Sequence, residues 1–381
     1  MNFLVISGEF PPFAGGAGTY CNYLIKALAA RGHKITLITK HYKENAEQEK
    51  KIDLALSEQN IKCIRMPYFK FTFIFSWYRI ISNYLKRHND FDFVILNGNI
   101  AQLVCRKPEL KKLLGKYITV QHGISAYDSL KKTPLLPLLN AKKQLDCFFR
   151  NAAANIAISQ NLKEKLETQL KMPNLHVILN CIDNEIFNCT AVENKNTEVL
   201  QITTASRLIP AKNTISVVRL FAKLKAEFPN IRLNIAGTGS ETENLKNEAE
   251  KLRISSSVNF TGLLNAKDLC RLYQESDIFI LLSFYENLAL VYLEANACSV
   301  PVIGSDVGGT REAIEDGVSG FIVPLDDENI IYEKTKLLLS DTALRQKMGN
   351  AGKKRVDEKF SLDTLGKNFE KLLNGLKAEE A

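Results

Sequence analysis

No C-x-x-C pair and no Cys–His cluster occurs among the eight cysteines (Cys21, Cys63, Cys105, Cys147, Cys181, Cys189, Cys270, Cys298). The zinc-binding spacings are therefore excluded, and reduced, packed thiols are expected. No apolar run approaches the ~20 residues that span a bilayer. The richest, Phe71 to Tyr78, is bounded by Lys70 and Arg79, which limits membrane contact to a peripheral one. No basic leader or cleavage site precedes the apolar strand pattern that starts at Met1. A cytoplasmic location follows as the expectation, with the inner face of the cytoplasmic membrane as a place of contact. Helix-turn-helix, zinc-finger and aromatic RNA-platform patterns are lacking too, so the net charge of +8 is not read as nucleic-acid binding.

What is present is ordinary globular composition, 45% hydrophobic and 24% charged, over 381 residues, a length that suits two domains. The charge is shared unevenly. Residues 1–190 hold 26 Lys and Arg against 15 Asp and Glu, while residues 191–381 hold 24 against 27. Short apolar runs alternate with helical patterns from the start: Phe3 to Ser7, Lys34 to Thr39, Phe91 to Leu96, Tyr117 to Gln121 and Ala154 to Ser159. Strands separated by helices predict parallel βαβ units and a doubly wound sheet, an α/β fold. Tyr20, Leu24, Ala27 and Leu28 share a helix face that Gly32 closes.

The pattern restarts near residue 190. The stretch from Cys189 to Glu198 is polar, and a new strand, Val199 to Thr203, follows. A helix face of Val217, Leu220, Phe221, Leu224 and Phe228 comes next, and the strands Ile231 to Ile235 and Ile278 to Leu282 follow it. The predicted domains are residues 1–189 and 190–360, two similar α/β bodies facing a central cleft. A last helix, 361–381, carries Leu362, Leu365, Phe369, Leu372, Leu373 and Leu376 on one stripe and caps the second domain or crosses back to the first.

The chemistry concentrates after the strand Ile278 to Leu282. A short loop carries Glu286, and Glu294 follows eight residues later on a helix. Ligands bind at this carboxyl end of strands in open α/β sheets. The N–H groups of Leu288, Ala289 and Leu290 are expected to open that helix and to hold phosphate. Arg207 and Lys212, five residues apart after the first strand of the same domain, suit a diphosphate. Each pattern alone is weak, since two cations on a loop are usually just solvated.

Taken in order along nearly the whole chain, the motifs are specific. They are Gly15-Gly16-Ala17-Gly18, Gln121-His122-Gly123, Asn180-Cys181-Ile182-Asp183, Arg207 with Lys212, Ala236-Gly237-Thr238-Gly239, Glu286 with Glu294, and Val307-Gly308-Gly309. The chain resembles the retaining GT-B glycosyltransferases of family 4. That resemblance implies a GT-B fold of two Rossmann-like domains, the first on the acceptor side and the second binding a nucleotide sugar, UDP- or GDP-linked. It implies a hexosyl transfer with retention to a saccharide or lipid-linked acceptor in cell-surface polysaccharide or lipopolysaccharide synthesis, without metal or other cofactor. Arg207 and Lys212 would bind the donor diphosphate, Leu288 to Leu290 its phosphate, Glu286 with Asn287 the sugar side, Glu294 the ribose, and Leu263 the base. Gly16 and Gly237 would line the donor, and His122 would contact the sugar. Two departures stand out: Asn287-Leu288-Ala289 where Gly-Phe-Gly is common, and Cys181 where glycine is common.

Competing readings are a GT-B-like nucleotide-sugar epimerase, a phosphorylase, and an inactive nucleotide-sugar-binding subunit. Phe73, Trp77, Ile80, Ile81 and Tyr84 share one face of a helix in the basic first half. Its plain reading is a buried helix. The sharper one joins it to Lys111, Lys112, Lys131, Lys132, Lys142 and Lys143 as a surface for anionic lipid.

Overall fold

The alternating apolar runs build two parallel sheets in the computed structural model, which describes residues 1–12, 15–67, 73–123, 141–188 and 198–378. The first sheet holds β1 (Asn2–Ser7), β2 (Lys34–Lys40), β3 (Ile61–Met66), β4 (Phe93–Asn97), β5 (Tyr117–Gln121), β6 (Ala154–Ala157) and β7 (Leu175–Val177), in the order β3-β2-β1-β4-β5-β6-β7. The second holds β8 (Leu200–Ala205), β9 (Ile231–Ala236), β10 (Val258–Gly262), β11 (Ile278–Leu281), β12 (Val302–Ser305) and β13 (Gly320–Val323), in the order β10-β9-β8-β11-β12-β13. The central strands β4, β5 and β11 are buried throughout, which is why they read as continuous apolar runs.

In both sheets the chain first winds one way and then returns beside its starting strand. The strand order reverses between β1 and β4 and again between β8 and β11. Such a reversal splays the loops at the strands' carboxyl ends and opens a crevice there. Ser7 and Asn97 are register partners at the first reversal. Arg207 and Lys212 follow β8, and Glu286 follows β11, at the second.

The chain divides into two compact units, Met1–Asn180 with Leu362–Ala381, and Cys181–Ser361. The boundary thus falls at 180/181 rather than at 189/190. Ile182 N–H donates to the Phe360 carbonyl at 2.9 Å, Asn184 Nδ2 to Asp357 Oδ1 at 2.9 Å, and Gln274 Nε2 to the Asn188 carbonyl at 3.0 Å. These bonds tie 181–188 to the second unit. Polarity marked the loop at 189–198, most of which lies outside the described residues, but polarity does not say to which body the preceding chain is bonded. Cys181 is buried and is not among the residues with positive φ, so the turn forms without a glycine.

The last helix, Leu362–Ala378, packs on Gly16–Ala30 of the first unit. Leu365, Phe369 and Leu373 are buried there. Arg31 bonds Glu370 and Asp363 at 2.5 and 3.1 Å, and His33 Nε2 lies 3.0 Å from Glu370. Edge strand β3 and the glycine-bearing strands β12 and β13 were not marked by the apolar pattern. Glycine carries no strand propensity, yet at Gly320 an added Cβ would lie 2.1 Å from the Val302 carbonyl oxygen.

The helix Phe73–Arg87 takes the plain reading: Trp77 and Ile81 are fully buried, and it packs on Gly98–Cys105 and Pro108–Leu114. The face expected to meet lipid is therefore turned inward. Phe75 is its exposed apolar residue, with Lys107 Nζ 4.9 Å from the ring centroid. Lys131 and Lys132 lie outside the described residues. No helix of the described residues is long and apolar enough to cross a membrane.

Candidate active site

At the reversal of the second sheet, the loop after β8 is gripped by its neighbour. Ser206 and Leu208 donate to the Ala236 and Thr238 carbonyls at 3.0 and 2.9 Å. Gly237 has φ +127°, and a Cβ on it would lie 1.8 Å from the Ser206 carbonyl oxygen. Only glycine lets the two loops touch. Arg207, between the two bonded residues, is exposed and makes no ion pair among the described residues. A short turn, Pro210–Lys212, then brings Lys212 round, and its Nζ donates to Glu286 Oε1 at 2.5 Å.

Glu286 is 6% exposed. Its loop is fixed from behind by the turn Val307-Gly308-Gly309. The Gly309 N–H donates to the Glu286 carbonyl, while a Cβ on Gly308, at φ +54°, would lie 1.6 Å from that oxygen. Asn287 Oδ1 accepts from the Tyr285 hydroxyl at 2.5 Å. Leu288 and Ala289 are buried, and the helix itself runs Leu290–Ala297 with Ala289 as N-cap and no side-chain cap bond. The expected trio of helix-opening N–H groups is therefore corrected. Leu288 and Ala289 precede the helix, and Leu290 is its first residue.

Glu294 stands in the second turn of this helix, 7% exposed, and accepts from the Tyr273 hydroxyl at 3.2 Å. Burial pushes its carboxyl up to about 7, and the tyrosine bond only partly opposes this. A carboxyl so placed gains from any further hydroxyl that donates to its charged form. Leu263, after β10, is 70% exposed. Phe284 and Tyr285, beside Glu286, are also exposed at 59% and 47%.

The first sheet's reversal is built from neutral groups. Asn97, closing β4, donates through Nδ2 to Ser7 Oγ at 3.0 Å and to the Ala17 carbonyl at 2.9 Å. Its Oδ1 therefore faces His122 Nε2, 2.8 Å away, and that nitrogen must carry the hydrogen. Burial pushes His122 down to about 4, so the ring is neutral at pH 7. Tyr20 meets the ring edge-on at 5.1 Å. Gly16 is the first helical residue, and an added Cβ would meet no more distant described residue within 4 Å. Phe13 and Ala14, just before it, lie outside the described residues.

The second unit thus gathers Arg207, Lys212, Gly237, Glu286, Asn287, Leu288 to Leu290 and Glu294 at one sheet reversal, with Leu263 at the end of the outermost strand. The first unit gathers Gly16 and His122 around Asn97. Asn97, Tyr273 and Tyr285 were not foreseen. Asn97 had a signal, a polar side chain ending an apolar strand; Tyr273 had none, since its helix reads as amphipathic packing. An Asp-x-Asp pair, Asp90 and Asp92, lies before β4, at the amino end of the strands and away from this site. Asn2 bonds both residues, and Lys377 bonds Asp92 at 3.4 Å.

Two family models match consecutive stretches of the chain: Glycosyltransferase Family 4 over residues 14–186 and Glycosyl transferases group 1 over 187–355. An uncharacterized glycosyltransferase of Methanocaldococcus jannaschii is 25% identical, with 96% of each chain covered. The capsular polysaccharide biosynthesis glycosyltransferase CapM of Staphylococcus aureus is 30% identical over 58% of this chain and 60% of its own. Among solved structures, Anabaena HepE in complex with UDP superposes with a TM-score of 0.79 at 16% identity, covering 98% of this chain and all of that one.

Proposed function

We propose that this chain, which belongs to the group 1 glycosyltransferases and has their GT-B fold, moves a hexose with retention from a nucleoside-diphosphate sugar to a saccharide or lipid-linked acceptor. The observation that carries the proposal is the pairing of Lys212 with buried Glu286 across the reversal of the second sheet, beside exposed Arg207, which makes no ion pair among the described residues. The arrangement supplies two cations for a diphosphate and one carboxylate for sugar hydroxyls. Capsular synthesis by the S. aureus relative, and the UDP bound by the Anabaena structure, support this donor and acceptor class.

In the reaction, the bond from the anomeric carbon to the diphosphate oxygen breaks, and the acceptor oxygen bonds to that carbon on the same face. The acceptor's proton passes to the departing phosphate oxygen. Arg207 and Lys212 stabilise the charge that grows there, together with the N–H groups that open the helix at Leu290. Glu286 does not serve as the base, because Lys212 already holds one of its oxygens. It orients the sugar, while Glu294 receives ribose hydroxyls and Leu263 covers the base. His122 contacts the sugar as a neutral ring, Gly16 leaves room for the diphosphate, and the step needs no metal. Phe75 and the neighbouring Lys107 hold the first unit against anionic lipid.

The test is a hydrolysis and transfer screen across UDP-, GDP- and ADP-sugars, with NMR of the product anomer and with chelator added in parallel. A retained anomer whose yield survives chelation is expected, and turnover is expected to drop in Arg207→Ala. Absence of turnover with every donor, or an inverted anomer, would overturn the proposal.

A further inference from the structure

Two thiols that the transfer does not use lie together beneath the donor site. Cys270, on the helix Ala266–Glu275, and Cys298, which caps Leu290–Ala297, place their sulfurs 3.8 Å apart in a hydrogen-bonded pair. They are 5% and 4% exposed. The pair differs in kind from the packed thiol of Cys21, which burial pushes up to about 12. Cys270 moves the other way, down to about 7, chiefly because Cys298 bonds to it. That direction favours the thiolate, the form that attacks oxidants.

The position matters as much as the pairing. Cys270 lies one turn before Tyr273, and Cys298 one turn after Glu294, to whose carbonyl its N–H donates at 3.3 Å. The two helices that carry the thiols are thus the two joined by the 3.2 Å bond from Tyr273 to Glu294. A covalent link between the sulfurs must draw them well inside their present contact and move that bond.

We propose that Cys270 and Cys298 form a redox-active dithiol that hydrogen peroxide or an organic hydroperoxide closes into a disulfide, loosening nucleoside-diphosphate binding at Glu294. The Cys270 thiolate attacks the peroxide's terminal oxygen and breaks the O–O bond, giving a sulfenic acid and water or an alcohol. Cys298 sulfur then displaces hydroxide from the sulfenyl sulfur, and with the thiol proton this leaves as a second water. Two electrons pass from the sulfurs to the peroxide, and a dithiol reductant reverses the change. The effect on binding rests on the donor reading above.

The full-length protein, reduced and then treated with hydrogen peroxide, is digested and mapped by mass spectrometry, and UDP and GDP are titrated before and after. The expected result is a link between the peptides Asp268–Arg271 and Leu272–Arg311, with affinity for the better-bound nucleotide roughly tenfold weaker and restored by dithiothreitol. Cys298→Ala should bind like the reduced parent and ignore peroxide. Failure of the link to form overturns the proposal, and so does a link that leaves binding unchanged. If neither nucleotide binds the reduced protein, the donor reading fails, and the peptide map alone decides whether the dithiol closes.

Discussion

The two sheets follow the same winding, with the strand order reversing between β1 and β4 in one and between β8 and β11 in the other, yet they hold opposite kinds of chemistry at that place. At the first reversal an amide, a neutral imidazole, a hydroxyl and a carbonyl satisfy one another around Asn97. At the second, a lysine and a glutamate meet at 2.5 Å, a second carboxyl is buried eight residues further on, and an arginine stands exposed. Topology therefore prepares a crevice, but the side chains at the strand ends decide what it binds. A charged, partly buried constellation suits a leaving diphosphate. A neutral one suits hydroxyl groups, which need direction more than charge.

The largest effect is expected where the charge lies. Lys212→Ala and Arg207→Ala should each lower initial rates of sugar transfer by about 10²- to 10³-fold, as removal of a donor to a developing charge does elsewhere. Only Lys212→Ala should also lower the melting temperature, because it leaves Glu286 buried without its cation. If Asn97→Ala lost more turnover than either, charge would not be what separates the two reversals.

Next in size is the loop behind Glu286. Gly308→Ala forces a Cβ against the Glu286 carbonyl at positive φ and should cost about 1–3 kcal/mol in urea unfolding. Gly16→Ala, whose Cβ meets no more distant described residue, should leave unfolding unchanged while weakening donor binding. Equal losses from both would mean that Gly16 is structural.

The pH dependence of stability should carry opposite signs at the two reversals. Glu294 is raised from its ordinary 4.5 to about 7, so the fold holds more protons than the unfolded chain between those values, and stability falls as pH rises through that window. His122 is lowered from 6.5 to about 4, so the fold holds fewer protons there, and its contribution is lost as pH falls through that window. Glu294→Gln and His122→Gln should each flatten one slope in melting curves taken from pH 4 to 7.5. Nucleoside-diphosphate binding at pH 7 should release protons in calorimetry across two buffers, and Glu294→Gln should abolish the release. The smallest effect is expected at the surface of the first unit. Phe75→Ala should modestly reduce flotation with anionic vesicles at low salt, and no flotation of the parent protein would remove the lipid contact.

Much of this was legible before any coordinates. The runs Phe3 to Ser7, Tyr117 to Gln121 and Ile231 to Ile235 announce buried parallel strands because both faces must be apolar. Once strand direction is known, residues that follow a strand must lie at its carboxyl end, so Arg207, Lys212, His122 and Glu286 were located by order alone. The helix Phe73–Arg87 was legible only to its plain reading, since an apolar stripe looks the same whether it meets protein or lipid. The start of the helix before Glu294 was misplaced by two residues because Leu288 and Ala289 favour helix as well as Leu290 does. The bond from the Gly309 N–H to the Glu286 carbonyl, with Gly308 packed against that carbonyl, fixes the preceding loop ahead of the helix.

The sequence by itself determined two α/β bodies, the direction of their strands and which side chains stand at the strand ends, because local periodicity is sufficient for these. Tertiary structure alone decided the partnerships. Lys212 meets Glu286 across 74 residues, Tyr273 meets Glu294, Cys270 meets Cys298, residues 181–188 join the second unit, and the last helix returns to the first. Such contacts, and the burial that lifts Glu294 and depresses His122, arise from packing between distant segments. No local pattern in the chain records which of them will touch.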